Sequence, residues 1–128
     1  MDKSTSPAIT SRPSGDVIVF DIKGDMSRLA ATVPSLSELV KDQLVIGKNR
    51  ILINLEQTGF VDSWGVGELL ATYISIRNRG GALKLCAIPD KLDILFKITQ
   101  INKVLTILPT EAAAIEAFAR PPEPKPKG

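Results

Sequence analysis

The stretch that decides the fold is Ile51-Leu52-Ile53-Asn54-Leu55, which leads through Phe60-Val61 into Asp62-Ser63-Trp64-Gly65-Val66-Gly67 and on to Arg79-Gly80-Gly81. Its first five residues are almost continuously apolar, the pattern of a central strand covered on both faces. Beyond the turn, Val66, Leu69, Leu70, Tyr73 and Ile76 or Arg77 recur at i, i+3, i+4 spacing, and Gly80-Gly81 supplies the left-handed residue at which helices commonly end. The sequence therefore predicts a buried strand, a glycine-flanked turn and a helix over 64–79.

Working outward, Val17-Ile18-Val19-Phe20-Asp21-Ile22 is β-branched and apolar and reads as a strand closed by a turn at Gly24-Asp25. Between Pro34 and Ile46, Leu36, Leu39, Val40 and Leu44 form one helical stripe. On the other side, Leu83 to Ile88 reads as a strand, and a helix carrying Leu92, Leu95, Phe96 and Ile98 starts at Pro89 or Asp90. Leu105-Thr106-Ile107-Leu108 reads as a last strand, and Thr110 caps a helix ending near Ala119. Strands alternating with helices at this spacing imply βαβ units, hence an α/β fold whose sheet is at least partly parallel. Residues 1–12, rich in Ser, Thr and Pro, read as a flexible segment or as a weak edge strand around Ala8-Ile9-Thr10. The folded domain is expected over 13–120. Pro121-Pro122-Glu123-Pro124-Lys125-Pro126-Lys127-Gly128 reads as a disordered, extended tail.

Composition narrows the chemistry. The chain has 128 residues, 44% of them hydrophobic, enough for one domain with one core. Sixteen basic and fourteen acidic residues are scattered without a basic stripe, so direct nucleic-acid binding is not expected. No apolar run approaches the roughly 20 residues of a membrane span, and the N-terminus lacks the apolar stretch of a signal peptide. A soluble, cytoplasmic protein is expected. There is no histidine, which removes a Ser-His-Asp triad, a Cys-His dyad and any imidazole zinc site. No metal, cofactor or enzymatic activity is expected. The single Cys86 lies in the apolar run Leu83-Lys84-Leu85-Cys86-Ala87-Ile88 and reads as a buried small hydrophobe, with a reactive thiol as the alternative.

The turn itself allows several accounts. Where a strand gives way to a helix, the first helical amides have no partner and favour negative charge. Asp62 or Ser63 can cap them, with Gly65 and Gly67 easing a tight turn. Alternatively, the glycines let another molecule's backbone approach an exposed hydroxyl. A dinucleotide loop would need glycine at position 70, where Leu70 stands, and no Gly-Lys-Ser or Gly-Lys-Thr triplet occurs. A nucleophilic serine would need a lysine base, and no sequence feature places one nearby. A serine that accepts phosphate from a separate kinase needs neither.

The runs Ile51 to Leu55, Phe60 to Gly67, Arg79-Gly80-Gly81-Ala82-Leu83-Lys84-Leu85 and Leu92-Asp93-Ile94-Leu95-Phe96-Lys97-Ile98-Thr99-Gln100-Ile101 together resemble the STAS domain of bacterial anti-sigma factor antagonists. The resemblance spans roughly residues 16–118, and its Asp-Ser-x-Gly-x-Gly core is specific in this setting. It implies a mixed central β-sheet of four to five strands covered by about four helices. It also implies binding to an anti-sigma factor that is a serine kinase, phosphorylation on Ser63, Asp62 as the residue that helps position or recognise it, and a serine phosphatase as a further partner. Unmodified protein would hold the anti-sigma factor, and phosphorylated protein would release it, so regulating sigma-factor-dependent transcription. The same fold also serves as a non-switching subunit of signalling scaffolds or of lipid or anion transport complexes, which is the alternative expectation.

The partner-binding set implied in this way is Asp25, Asp62, Ser63, Trp64, Gly65, Val66 and Gly67. Two departures stand out. The residue after the phosphoacceptor is usually small, whereas here it is Trp64, read either as an interface anchor or as simple packing. At Gly24-Asp25-Met26-Ser27 the family commonly ends on an aspartate; with Ser27 there, a partner contact made by that carboxylate is missing and Asp25 is the acidic residue left.

Overall fold

The structure, a computed structural model, describes residues 7–120; the tail expected at 121–128 and the first six residues lie outside them. Six strands form one mixed sheet. Strands β2 (Val17–Met26), β3 (Arg50–Asn54), β5 (Ala82–Cys86) and β6 (Thr106–Leu108) run parallel in that order, and β1 (Ala8–Ser14) pairs antiparallel with β2 at the edge. The short β4 (Thr58–Val61) pairs with the far end of β2. Helices α1 (Leu36–Val45), α2 (Ser63–Asn78), α3 (Asp90–Ile98) and α4 (Glu111–Ala119) complete the chain.

The period-2 geometry of strands explains why the central run had to be apolar throughout. Phe20, Ile53, Leu85 and Ile107 lie in one row across four strands. They join the larger core with Leu36, Val40, Leu69, Ile76, Leu92 and Phe96 from α1, α2 and α3. Their neighbours Val19 and Leu52 face the opposite side, where Val17, Cys86, Ala114 and Phe118 form a second cluster under α4. Helices thus cover both faces, and β3 has no polar side to show water. Cys86 is fully buried, and burial is the main cause that pushes its thiol pKa up to about 12. At physiological pH it is therefore not a nucleophile.

Two local readings change. The first segment is an edge strand paired along all of Ala8–Ser14, where the pattern suggested three residues at most. Gly24-Asp25 is not the turn that ends β2. The strand runs on to Met26, with an irregular register between Gly24 and Met26 where it meets β4, and Gly24 takes φ +92°. A glycine that permits a bulge leaves the same sequence mark as one that permits a turn. The sixth strand is β4, which the sequence pattern did not mark as a strand; with it the sheet exceeds the four to five strands expected.

The helix starts follow side-chain chemistry. Ser35 and Glu38 form a reciprocal capping box on α1, and Thr110 accepts the Ala113 amide on α4. Gly80 (φ +69°) ends α2 in the left-handed region, as its position after the helical stripe predicted. Among the described residues, no helix is long and apolar enough to cross a membrane.

Candidate functional site

Asp62 is the hinge between β4 and α2. One carboxylate oxygen accepts the Gly65 amide at 3.0 Å and caps α2, while the other accepts the Arg28 amide at 3.0 Å. The Asp62 amide donates to the Met26 carbonyl at 3.3 Å. The carboxyl is held below its ordinary range, first by the Arg28 amide and then by that of Gly65, because hydrogen bonds to the charged form favour it. Of the two residues able to cap this helix, Asp62 does so. Ser63 is thereby left at the first helical position, exposed, with no hydrogen bond from its hydroxyl among the described residues.

The two motif glycines serve opposite purposes. Gly67 is exposed and has open space where a Cβ would be. Gly65 is buried, and a Cβ there would overlap the Met26 carbonyl and come within 2.8 Å of Val61 Cγ1. Its missing side chain lets α2 lie against the end of β2. Val66 is likewise half-buried and packs on the main core.

Trp64 is half-buried. It lines a crevice with Ile22, Met26, Ala30, Leu36 and Glu68, between the end of β2 and the starts of α1 and α2. Part of the indole thus packs within the protein while part stays accessible. Asp25 is exposed, and its Oδ1 accepts the Phe60 amide at 2.9 Å, which ties β4 to β2. Ser27 is buried, and its Oγ accepts the Ala30 amide at 3.2 Å, capping a 3-10 turn over Arg28–Ala30. The serine that replaces the usual aspartate therefore has a structural task.

Three exposed residues in the segments that meet at Asp62 were not among those expected from the sequence. Leu29 is fully exposed (100%) in that 3-10 turn, whose first amide is held by Asp62, and Phe60 is 58% exposed three residues before the serine. Arg28 is exposed, and its guanidinium has no hydrogen bond or ion pair among the described residues. Phe60 carried a signal, since it alternates with the buried Val61; Arg28 and Leu29 carried none, because only tertiary structure brings residue 28 to residue 62.

The STAS domain family model matches residues 8–114. The chain is 28% identical over 76 residues to the anti-sigma-B factor antagonist of Staphylococcus aureus, covering 59% of this chain and 70% of that one. A crystal structure of an anti-sigma factor antagonist from Mycobacterium paratuberculosis superposes with TM-score 0.78 at 21% identity, covering 90% of this chain and 96% of that one. The Bacillus cell fate determinant SpoIIAA in its phosphorylated form superposes with TM-score 0.65 at 20% identity, over 87% and 99% of the two chains. Its unphosphorylated form gives 0.66. At such identities the superpositions establish a shared fold.

Proposed function

The chain belongs to the STAS domain family, and from that premise we propose that it is an anti-sigma factor antagonist switched by phosphorylation of Ser63. The unmodified protein binds an anti-sigma factor that is also a serine kinase; the phosphorylated protein releases it, and a serine phosphatase resets the cycle. Such a regulator acts in the cytoplasm and needs no cofactor of its own.

The observation that carries this reading is the division of labour at the start of α2. Asp62 takes over the capping, so the Ser63 hydroxyl is exposed and uncommitted. A kinase can reach it without unwinding the helix. Leu29 and Phe60, exposed in the segments that meet at Asp62, give a partner apolar surface to cover. The relatives' names and the solution of the same fold in phosphorylated and unphosphorylated forms support the assignment.

Magnitudes favour release over refolding. A phosphate adds about 1.5 to 2 negative charges and three acceptor oxygens. At an exposed helix start it gains about 0.3–1 kcal/mol from the dipole, and the Asp62 carboxylate beside it offsets part of that. Taking the same charge out of water under a partner costs several kcal/mol in desolvation, and each 1.4 kcal/mol is tenfold in affinity. The interface term dominates, so the fold persists while the complex does not.

The test compares binding of the kinase-type anti-sigma factor of the source organism by the parent, Ser63→Ala and Ser63→Asp. Parent and Ser63→Ala should bind alike, and Ser63→Asp at least tenfold more weakly. Equal binding by all three contradicts the switch.

A further inference from the structure

We infer that Arg28 is the residue that holds the phosphate on Ser63, so that modification ties the loop after β2 to the start of α2. The inference rests on the proposed phosphorylation of Ser63 and adds the group that recognises the phosphate within the same molecule.

The argument begins with a charge problem. The Asp62 carboxylate already occupies the amide at the mouth of α2, through its 3.0 Å bond from Gly65. A phosphate on the next residue would face that carboxylate, with the Gly65 amide already taken. Like charges this close disfavour the dianion unless a cation intervenes.

The structure supplies one. The second oxygen of Asp62 accepts the Arg28 amide at 3.0 Å, which fixes the Arg28 backbone beside residue 62. Ser27, buried and capping the turn, holds the segment in place from the other side. From there the guanidinium projects from an exposed position and has no hydrogen-bond or ion-pair partner among the described residues. Other arginines are engaged: Arg12 with Asp21 and Glu111, Arg50 with Asp16 and Arg120 with Glu116.

The charged groups around this site are Asp62 at the start of α2, Glu68 within it, and Lys23 and Asp25 on β2. Lys23 lines the crevice under Trp64 together with Asp25 and Glu68. The Arg28 guanidinium makes no ion pair among the described residues even with Asp62 against its backbone, and its planar fork of donors matches phosphate oxygens bidentately in a way an ammonium does not. Only the dianion and a guanidinium pair here, and no bond is made or broken.

The experiment inserts phosphoserine at position 63 during translation, which removes any need for a kinase, and follows the phosphate by 31P NMR titration in the full chain. In the parent, pairing should favour the dianion and place the titration midpoint lower than in Arg28→Ala by about half a unit to one unit. Arg28→Gln should match Arg28→Ala, and Arg28→Lys should fall between. Circular dichroism of the unmodified variants checks that the fold is intact. A midpoint equal in parent, Arg28→Ala and Arg28→Gln overturns the inference and leaves phosphorylation of Ser63 standing. Failure of a kinase to modify Ser63 would remove that reading without touching this measurement.

Discussion

Helices α1 and α2 both begin at a polar cap with serines in the first turn, yet their hydroxyls are spent differently. At α1, Ser35 Oγ accepts the Glu38 amide at 3.3 Å and lies 3.2 Å from Ser37 Oγ, which in turn donates to Glu68 at 3.4 Å. Every serine there is committed to structure. At α2 an aspartate does the capping, and Ser63 has nothing to hold. A serine at a helix start is thus available for modification only when a neighbour relieves it of capping. That single difference leaves Ser63 exposed and uncommitted where the α1 serines are engaged.

The largest effect that bears on this contrast is steric. Gly65→Ala drives a methyl group into the Met26 carbonyl and should destabilise the protein by about 3 kcal/mol in chemical denaturation, the upper range for overpacking. Gly67→Ala, with open space around it, should leave stability unchanged or raise it by up to about 1 kcal/mol through helix propensity. Equal losses at both positions would mean that the motif glycines share one role.

Next come the caps. Ser35→Ala removes the capping-box acceptor of α1 and should cost about 1 kcal/mol. Asp62→Ala should also lower the melting temperature at neutral pH, and its effect should depend on pH. Since the folded-state pKa of Asp62 is depressed, its contribution is complete above the ordinary value of 3.8 and is lost as pH falls through the lower folded value. The gap between parent and Asp62→Ala should therefore narrow below pH 3.8 in a series of thermal melts. A gap independent of pH would show that the charge adds nothing to the cap.

The smallest effect is the most telling. Ser63→Ala should change stability by less than about 0.5 kcal/mol, because its hydroxyl bonds to nothing among the described residues. A loss as large as that of Ser35→Ala would make Ser63 a structural serine after all.

Much of this contrast was legible before any coordinates. The buried strand at Ile51–Asn54, the helix after it and the cap at Thr110 all follow from periodicity and capping chemistry. Position 62 or 63 was readable as a cap, but the choice between them was not, since both side chains are capable and only the Arg28 amide favours aspartate's second oxygen. The glycines looked equivalent in sequence because the Met26 carbonyl that distinguishes them comes from a strand almost forty residues earlier. Long-range approach was likewise what hid Arg28 and Leu29. Trp64, the odd residue beside the serine, lines a crevice within the protein and is half-buried, so packing accounts for part of its ring.

The most direct measurement of the central claim incubates the protein with the kinase-type anti-sigma factor of the source organism and ATP, then locates phosphate by mass spectrometry. The account predicts one phosphate, on Ser63, with Ser35 and Ser37 unmodified; phosphate on either α1 serine with Ser63 untouched would contradict it.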